Sequence, residues 1–134
     1  MLEGFIDTEI EQPKPKQKIL LVDYHNLAMR NLFALPYDPT DVSFVGYRVA
    51  MLTSIRKLAR DFSPNRIIFC REAHDRNWRY DVYPEYKLNR SAARESSIVD
   101  FDKFFPIHEQ FIVNLSECCK NCQFLTIPRL EADD

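Results

Sequence analysis

A run of four apolar residues, 19–22, ends on a carboxylate at Asp23 and constrains the fold more than any other feature. An uninterrupted apolar run of this kind predicts a strand buried on both faces, as in a parallel sheet. In open parallel sheets, ligands bind beyond the carboxyl ends of the strands. Asp23 lies at such an end, so it either belongs to a metal or phosphoryl site or caps the next helix.

Two further segments repeat this arrangement. Residues 66–70 predict a second strand, which is followed by Glu72, and residues 122–127 predict a third, which is followed by the acidic stretch 131–134. Strand–helix–strand units cross over right-handedly, so the three strands are expected to be parallel.

Helices are predicted between the strands. A short one is expected near Asn26, and a longer one is capped by Thr40 or Asp41. The longer helix shows apolar residues at three- and four-residue spacing, which are assigned to the core: Val42, Val45, Val49, Leu52, Ile55, Ala59 and Phe62. A last helix is expected to begin near Pro106, a residue that suits the first turn.

Composition excludes several classes. The chain has 134 residues and is 46% hydrophobic, which indicates one globular domain. A net charge of −2 argues against a basic nucleic-acid coat, and two glycines leave no glycine-rich phosphate loop. No apolar run reaches membrane-spanning length, so no membrane partner and a cytoplasmic location are expected.

Residues 71–95 have a different character. They carry six cations up to Arg94 against four carboxylates, with Trp78, Tyr80, Tyr83 and Tyr86 interleaved. Arginines bind phosphates and aromatic rings stack on bases, so this segment is either a nucleic-acid contact or a solvated excursion with internal salt bridges.

The strand-end carboxylates are expected to converge, since parallel strands end at one edge of a sheet. Their repulsion would be removed by Mg²⁺ or Mn²⁺, the hard cations that suit oxygen-only sites. The alternative for residues 131–134 is a solvated acidic tail favouring a helix N-terminus. Metals beside a cationic, aromatic segment are typical of phosphodiester hydrolysis.

The chain also resembles the N-terminal half of the 5′-nuclease, or flap endonuclease, superfamily, in particular the T-even phage ribonuclease H branch. The motifs that carry the resemblance are Val22-Asp23 with Asn26-Leu27 and Arg30, Trp78-Arg79-Tyr80-Asp81, Tyr86-Lys87-x-Asn89-Arg90 with Ala93-Arg94-Glu95, and Glu131-Ala132-Asp133-Asp134.

The resemblance implies roles for individual residues. The metal-site carboxylates would be Asp23, Glu72, Glu131, Asp133 and Asp134, although Glu72 stands where the family usually has aspartate. Lys87 and Arg90 would be the catalytic cations of an arch that reaches the scissile phosphate. The nucleic-acid-binding set would be Arg30, Arg79, Tyr86, Lys87, Arg90 and Arg94.

The resemblance also implies a fold and an activity. It predicts a three-layer α/β fold with a mostly parallel sheet, of the PIN-like or resolvase-like kind of 5′-nuclease N-terminal domains, and incomplete. Residues 1–17 would be a flexible leader and residues 18–134 the partial exonuclease domain, with 71–95 as an arch-like excursion. The expected enzyme is a 5′-3′ exonuclease and flap endonuclease, with ribonuclease H activity on RNA–DNA hybrids, that removes primers in a phage-infected cell.

Family members are longer, so the two-metal site is expected to be incomplete here and the chain alone to be weakly active or inactive. A complementing C-terminal half is the expected partner, besides DNA or RNA–DNA hybrids with a 5′ end or flap. Two alternatives stay open: a fragment that only binds nucleic acid or complements another half, and a different α/β single-strand nuclease or phosphohydrolase.

Overall fold

Three parallel strands organise the computed structural model, which describes residues 14–134. They are β1 (Ile19–Asp23), β2 (Arg66–Arg71) and β3 (Cys122–Thr126), in the order β1-β2-β3. Residues 1–13 of the predicted leader lie outside the described residues, and residues 14–17 have no regular secondary structure. The prediction of an α/β fold with a parallel sheet is confirmed.

Five helices lie between these strands in the described part of the chain, two between β1 and β2 and three between β2 and β3. They are α1 (Tyr24–Phe33), α2 (Val45–Phe62), α3 (Arg79–Val82), α4 (Asn89–Glu95) and α5 (Phe101–Cys118). The long helices α1, α2 and α5 contribute to a single core together with Ile67 and Phe69 of β2.

All three long helices pack on one face of the sheet. The strands are added in one direction, and right-handed crossovers in one direction bring their helices to the same side. Among the described residues, the fold therefore consists of two of the three predicted layers. The prediction that β1 is buried on both faces is wrong, because Ile19 is 50% exposed and Leu21 is 65% exposed. Leu125 of β3 is on the same open face and is 45% exposed.

The predicted core face of α2 is also wrong. Its valines and Leu52 are exposed, and of the predicted positions only Ile55 is buried. The face that is buried lies against α1 and α5 and consists of Phe44, Tyr47, Met51 and Ile55. Both faces have helical spacing, but the buried one carries the larger side chains, which remove more apolar surface from water. Tyr47, for example, packs edge to face against Phe104 of α5, with ring centroids 4.9 Å apart.

Helix α5 begins before the predicted point. Asp100 is its N-cap, accepting a hydrogen bond from the Lys103 amide at 3.2 Å, so Pro106 lies inside the helix rather than in its first turn. A proline at this position removes only one hydrogen bond close to the helix start. The start of α5 is therefore determined by the capping residue Asp100 and not by Pro106.

A buried histidine connects α5 to α2. His108 is 5% exposed, and its Nδ1 lies 2.8 Å from the hydroxyl of Tyr47. Burial lowers the pKa of His108 to about 4, and the nearby charges of His25 and Arg71 act in the same direction. The imidazole is therefore neutral in the folded protein over the physiological pH range.

The free energy of unfolding is expected to fall as the pH drops from about 6.5 towards 4. In this window the unfolded chain protonates His108 and the folded chain does not, so the loss reaches about 3 kcal/mol. Urea unfolding at pH 7, 5.5 and 4.5 measures it, and His108→Gln should flatten the dependence. An equal pH dependence in the wild type and this variant would contradict the assignment.

Candidate functional site

The carboxyl ends of the three strands lie at one edge of the sheet, as expected for a parallel arrangement. Asp23 is the last residue of β1, and Glu72 follows β2 directly. Beyond them lies a cavity of about 550 Å³, whose acidic end is formed by Asp23, Glu72, Glu131 and Asp133. Asp134, the fifth predicted carboxylate, lines an adjacent cavity that also touches Asp23.

Asp23 fulfils a structural role at this edge. Its Oδ1 accepts a hydrogen bond from the Asn26 amide at 3.0 Å, which makes it the N-cap of α1. The helix therefore begins at Tyr24, slightly earlier than predicted. Because the cap uses one carboxylate oxygen, the other remains available towards the cavity, and the two interpretations of Asp23 are compatible.

The acidic stretch 131–134 is neither a helix start nor a free tail. It forms a turn in which the Glu131 amide donates to Oδ2 of Asp134 at 2.8 Å. The preceding backbone is hydrogen-bonded to residues 71–95, called here the arch segment after the predicted arch-like excursion. The amide of Ala73 donates to the carbonyl of Leu130 at 3.3 Å, and that of Trp78 donates to the carbonyl of Arg129 at 3.2 Å. Backbone hydrogen bonds thus hold residues 71–95 next to the 131–134 turn.

Two of the predicted metal ligands are bound by cations of the arch segment. Lys87 donates to Oε1 of Glu131, and the Tyr86 hydroxyl donates to its Oε2 at 3.1 Å. Arg79 binds Asp134 with two hydrogen bonds, one of them 2.8 Å from Nη1 to Oδ2. The structure therefore brings the predicted cations and carboxylates together as ion pairs.

These pairs shift the pKa values of both carboxyl groups. Burial alone would raise the pKa of Glu131, but the hydrogen bond and charge of Lys87, with Tyr86 and Arg79, outweigh it and lower the pKa. The hydrogen bonds from Arg79, followed by that from the Glu131 amide, hold the pKa of Asp134 far below its usual range. Both groups are therefore ionised at neutral pH.

The backbone at Lys87 is unusual. Its φ is 57°, in the left-handed region, which costs a residue with a side chain about 1–2 kcal/mol. Such conformations occur preferentially at functional sites, where the surrounding structure holds them in place. Here, the Glu131 pair and the cation–π contact with the Tyr86 ring, 5.0 Å from Nζ to the ring centroid, hold the Lys87 side chain.

The remaining predicted cations line the cavity without partners. The guanidinium groups of Arg30, Arg90 and Arg94 make no hydrogen bond or ion pair to another side chain within residues 14–134, although Arg94 lies over the ring of Phe105. Arg79 and Tyr86 are outside the lining, because they are directed at the 131–134 turn. Four of the six predicted nucleic-acid contacts therefore lie around one cavity: Arg30, Lys87, Arg90 and Arg94.

Sequence reasoning missed the non-acidic end of this cavity. Away from the carboxylates, its lining includes Met29, Phe33, Phe101 and Phe105, whereas His25 lies near the charges of Asp23 and Glu72. A signal was present, since Phe101 and Phe105 are four residues apart on one helix, but it does not distinguish a cavity wall from core packing.

The donor chemistry of the acidic end fits a hard divalent cation. Asp23, Glu72 and Asp133 present carboxylate oxygens to one cavity, and none is ion-paired among the described residues. As placed in residues 14–134, no three potential ligands are close enough together to hold an ion. Binding therefore requires side-chain rearrangement, and Glu131 would have to exchange Lys87 for the metal.

Comparison with known proteins gives one family. The family model described as "5′-3′ exonuclease, N-terminal resolvase-like domain" matches residues 18–134. Ribonuclease H of Enterobacteria phage T4 is 28% identical over 123 residues, covering 89% of this chain and 40% of that protein. Flap endonuclease Xni of Shewanella baltica is 33% identical over 78 residues, covering 58% of this chain and 29% of that protein.

Solved structures show the same fold. The chain is similar to the T5 5′-exonuclease solved with bound zinc, with a TM-score of 0.55 and 24% identity, covering 88% of this chain and 41% of that one. It is also similar to a T5 D15 flap endonuclease complex with DNA and metal ions, with a TM-score of 0.53 and 24% identity, covering 86% of this chain and 40% of that one. The chain thus spans about two-fifths or less of these relatives. Within residues 14–134, none of the helices has the length and hydrophobicity of a membrane-spanning segment.

Proposed function

The chain belongs to the family of 5′-3′ exonuclease N-terminal, resolvase-like domains, and from this premise we propose that it contributes the metal- and phosphate-binding half of a nuclease active site. The reaction is hydrolysis of phosphodiesters at 5′ ends and flaps of DNA or RNA–DNA hybrids, as in primer removal during DNA replication. The observation that carries the proposal is the shared cavity, which has carboxylates at one end and the cations of the arch segment on its wall.

Each set of residues has a role in this reaction. Asp23, Glu72 and Asp133, joined by Glu131 and Asp134, would hold Mg²⁺ or Mn²⁺, which supplies Lewis-acid stabilisation and a nucleophilic water. Lys87 and Arg90 would neutralise charge on the scissile phosphate, and Arg30 and Arg94 would hold the flanking backbone. Arg79 and Tyr86 would orient the 131–134 turn and, once released from it, contact nucleic acid.

The open face of the sheet supports a complementing partner. Ile19, Leu21 and Leu125 are exposed on the face that carries no helix among the described residues. Parallel sheets are normally covered on both faces, and exposed edges pair with other strands. We therefore propose that a C-terminal half of the family type packs there and supplies the remaining metal ligands and the duplex-binding surface.

One observation favours a second function, in which this chain only binds nucleic acid. Glu131 and Asp134 already form ion pairs with Lys87 and Arg79, while Arg30, Arg90 and Arg94 are unpaired in the described part of the chain.

The family match removes the alternative of an unrelated α/β phosphohydrolase. The phage relatives support action in the cytoplasm of a phage-infected bacterium.

A labelled 5′-flap duplex tests the proposed function. We expect little cleavage by the 134-residue chain alone. We expect clear Mg²⁺-dependent cleavage when the chain is joined to the part of phage T4 ribonuclease H that lies beyond the matched region, a pairing called here the reconstituted enzyme. EDTA should abolish the activity, and a reconstituted enzyme that folds and binds the duplex without cutting it would favour the binding-only function.

A further inference from the structure

Helix α2 has a second apolar face, which is exposed. Val45, Val49 and Leu52 are 53%, 57% and 53% exposed, and they follow one another at spacings of four and three residues. They lie on a different side of the helix from the buried residues Tyr47 and Met51. A helix that is apolar on two sides is normally covered on both, and a contiguous exposed apolar surface marks a contact site. The three exposed residues are called here the outer face of α2.

Positive charge surrounds the outer face. Helix α2 carries four cations against one carboxylate, Asp61. Arg56 continues the line of the outer face along the helix and Arg48 lies beside it, and neither makes an ion pair or a side-chain hydrogen bond within residues 14–134. Arg60 contacts only its neighbour Asp61, at 3.1 Å. A segment that is both apolar and acidic is therefore complementary to this surface.

Two other occupants fit the outer face less well. The C-terminal half proposed above packs on the open face of the sheet, whereas α2 lies on the opposite face, in one core with α1 and α5. A second copy of the chain would place the cations of one α2 against those of the other, and like charges at an interface are unfavourable.

An acidic, apolar segment precedes β1 in this chain. Residues 1–12 contain four carboxylates and no lysine or arginine, and are called here the acidic segment. Its large apolar residues are Leu2, Phe5, Ile6 and Ile10. These positions have the spacing of one face of an amphipathic helix, with the carboxylates between them. The sequence thus supplies the chemistry that the outer face lacks.

The chain enters the fold beside the end of α2. The Lys18 ammonium group donates to the carbonyl of Phe62 at 2.9 Å, and the Lys18 amide donates to Oδ1 of Asn65 at 2.7 Å. At about 1.5 Å per residue, Leu52 lies roughly 15 Å along the helix from Phe62. The stretch between Ile10 and Lys18 can span up to about 26 Å. The acidic segment is therefore attached within reach of the outer face.

From pattern, charge and attachment, we infer that the acidic segment binds the outer face of α2 within the same molecule. Its apolar residues pack against Val45, Val49 and Leu52, and its carboxylates pair with Arg48 and Arg56. This interaction is separate from the metal and phosphate site and does not depend on the proposed nuclease function.

A synthetic peptide of residues 1–12, labelled with fluorescein at its C-terminus, tests this inference by fluorescence anisotropy at low salt. The full chain with Phe5→Ser and Ile6→Ser, called here the released chain, should bind the peptide at least about tenfold more tightly than the wild type. In the wild type the tethered segment competes at an effective concentration of about millimolar. Val49→Ser with Leu52→Ser in the released chain should abolish binding. A peptide with all four carboxylates replaced by amides should bind about tenfold more weakly.

Val113→Ser in the released chain is the matched control, since Val113 is a similarly exposed valine, at 47%, on α5. It should leave the affinity unchanged, and thermal melting should show that every variant is folded. Equal binding of the peptide by the wild type and the released chain, or no binding by the released chain, would overturn the inference. A wild-type dimer in light scattering that Val49→Ser with Leu52→Ser dissociates would also overturn it, because a second copy would then cover the outer face.

Discussion

Replacing Lys87 with alanine is expected to lower flap cleavage by the reconstituted enzyme about 100-fold or more. The Lys87 ammonium group lines the cavity next to the carboxylates, and its side chain is 20% exposed. A preorganised donor in a partly desolvated site stabilises charge that develops in the transition state, and loss of one such donor typically costs about 100- to 1000-fold in rate. Initial rates on the labelled 5′-flap duplex at saturating Mg²⁺ measure the effect.

Lys120→Ala is the matched control for this measurement. Lys120 is an exposed lysine that lines a different cavity, near the start of β3. Its loss removes the same charge from the chain but not from the site, and we expect activity within about twofold of the wild type. Activity of Lys87→Ala within threefold of the wild type would show that this lysine has no part in the reaction.

The same substitution is expected to have the opposite effect on metal binding. In the 134-residue chain, Lys87→Ala should tighten the binding of Mn²⁺ about tenfold. The Glu131 side chain is only 9% exposed, so removal of Lys87 leaves a carboxylate that is poorly hydrated and has lost a cation. Hydrogen bonds to charged groups are worth about 1.5–3 kcal/mol, and about 1.4 kcal/mol corresponds to a tenfold change in affinity.

Isothermal titration calorimetry measures this change. Lys87→Arg retains the positive charge beside Glu131 and should bind Mn²⁺ as the wild type does. Asp133→Ala should lower the heat in both the wild-type and the Lys87→Ala backgrounds, because it removes a ligand rather than a competitor. Equal or weaker binding by Lys87→Ala would show that Lys87 does not compete with the ion for Glu131.

Local sequence patterns predicted the framework of the site. The apolar runs that end on Asp23 and shortly before Glu72 determine parallel strands, and parallel strands bring their carboxyl ends to one edge. Most of the predicted carboxylates therefore share a cavity. Residues 71–95 were distinguished by their charge and aromatic content, which do not depend on how the segment is folded.

Patterns could not predict which charged groups pair. Lys87 and Glu131 were both assigned to the site, but their ion pair joins residues 44 positions apart and depends on the turn at 131–134. The buried face of α2 was missed for a similar reason. Two faces of this helix have apolar residues at helical spacing, and the contact of Tyr47 with Phe104 of α5 shows which of them is buried. The contact between Phe33 of α1 and Phe101 of α5 likewise joins two helices that are far apart in the sequence, so the pattern of neither helix predicts it.

The simple strand order has a consequence for synthesis on the ribosome. Ile19 pairs with Arg66, and Ile67 pairs with Cys122, so the two ladders close chain separations of 47 and 55 residues. Long separations make folding slow, and chains emerge at about 5–20 residues per second. The first ladder can close while the chain is still growing, but the second must wait for β3. Glu131 and Asp134 emerge later still, so residues 71–95 are synthesised before the two carboxylates that pair with Lys87 and Arg79.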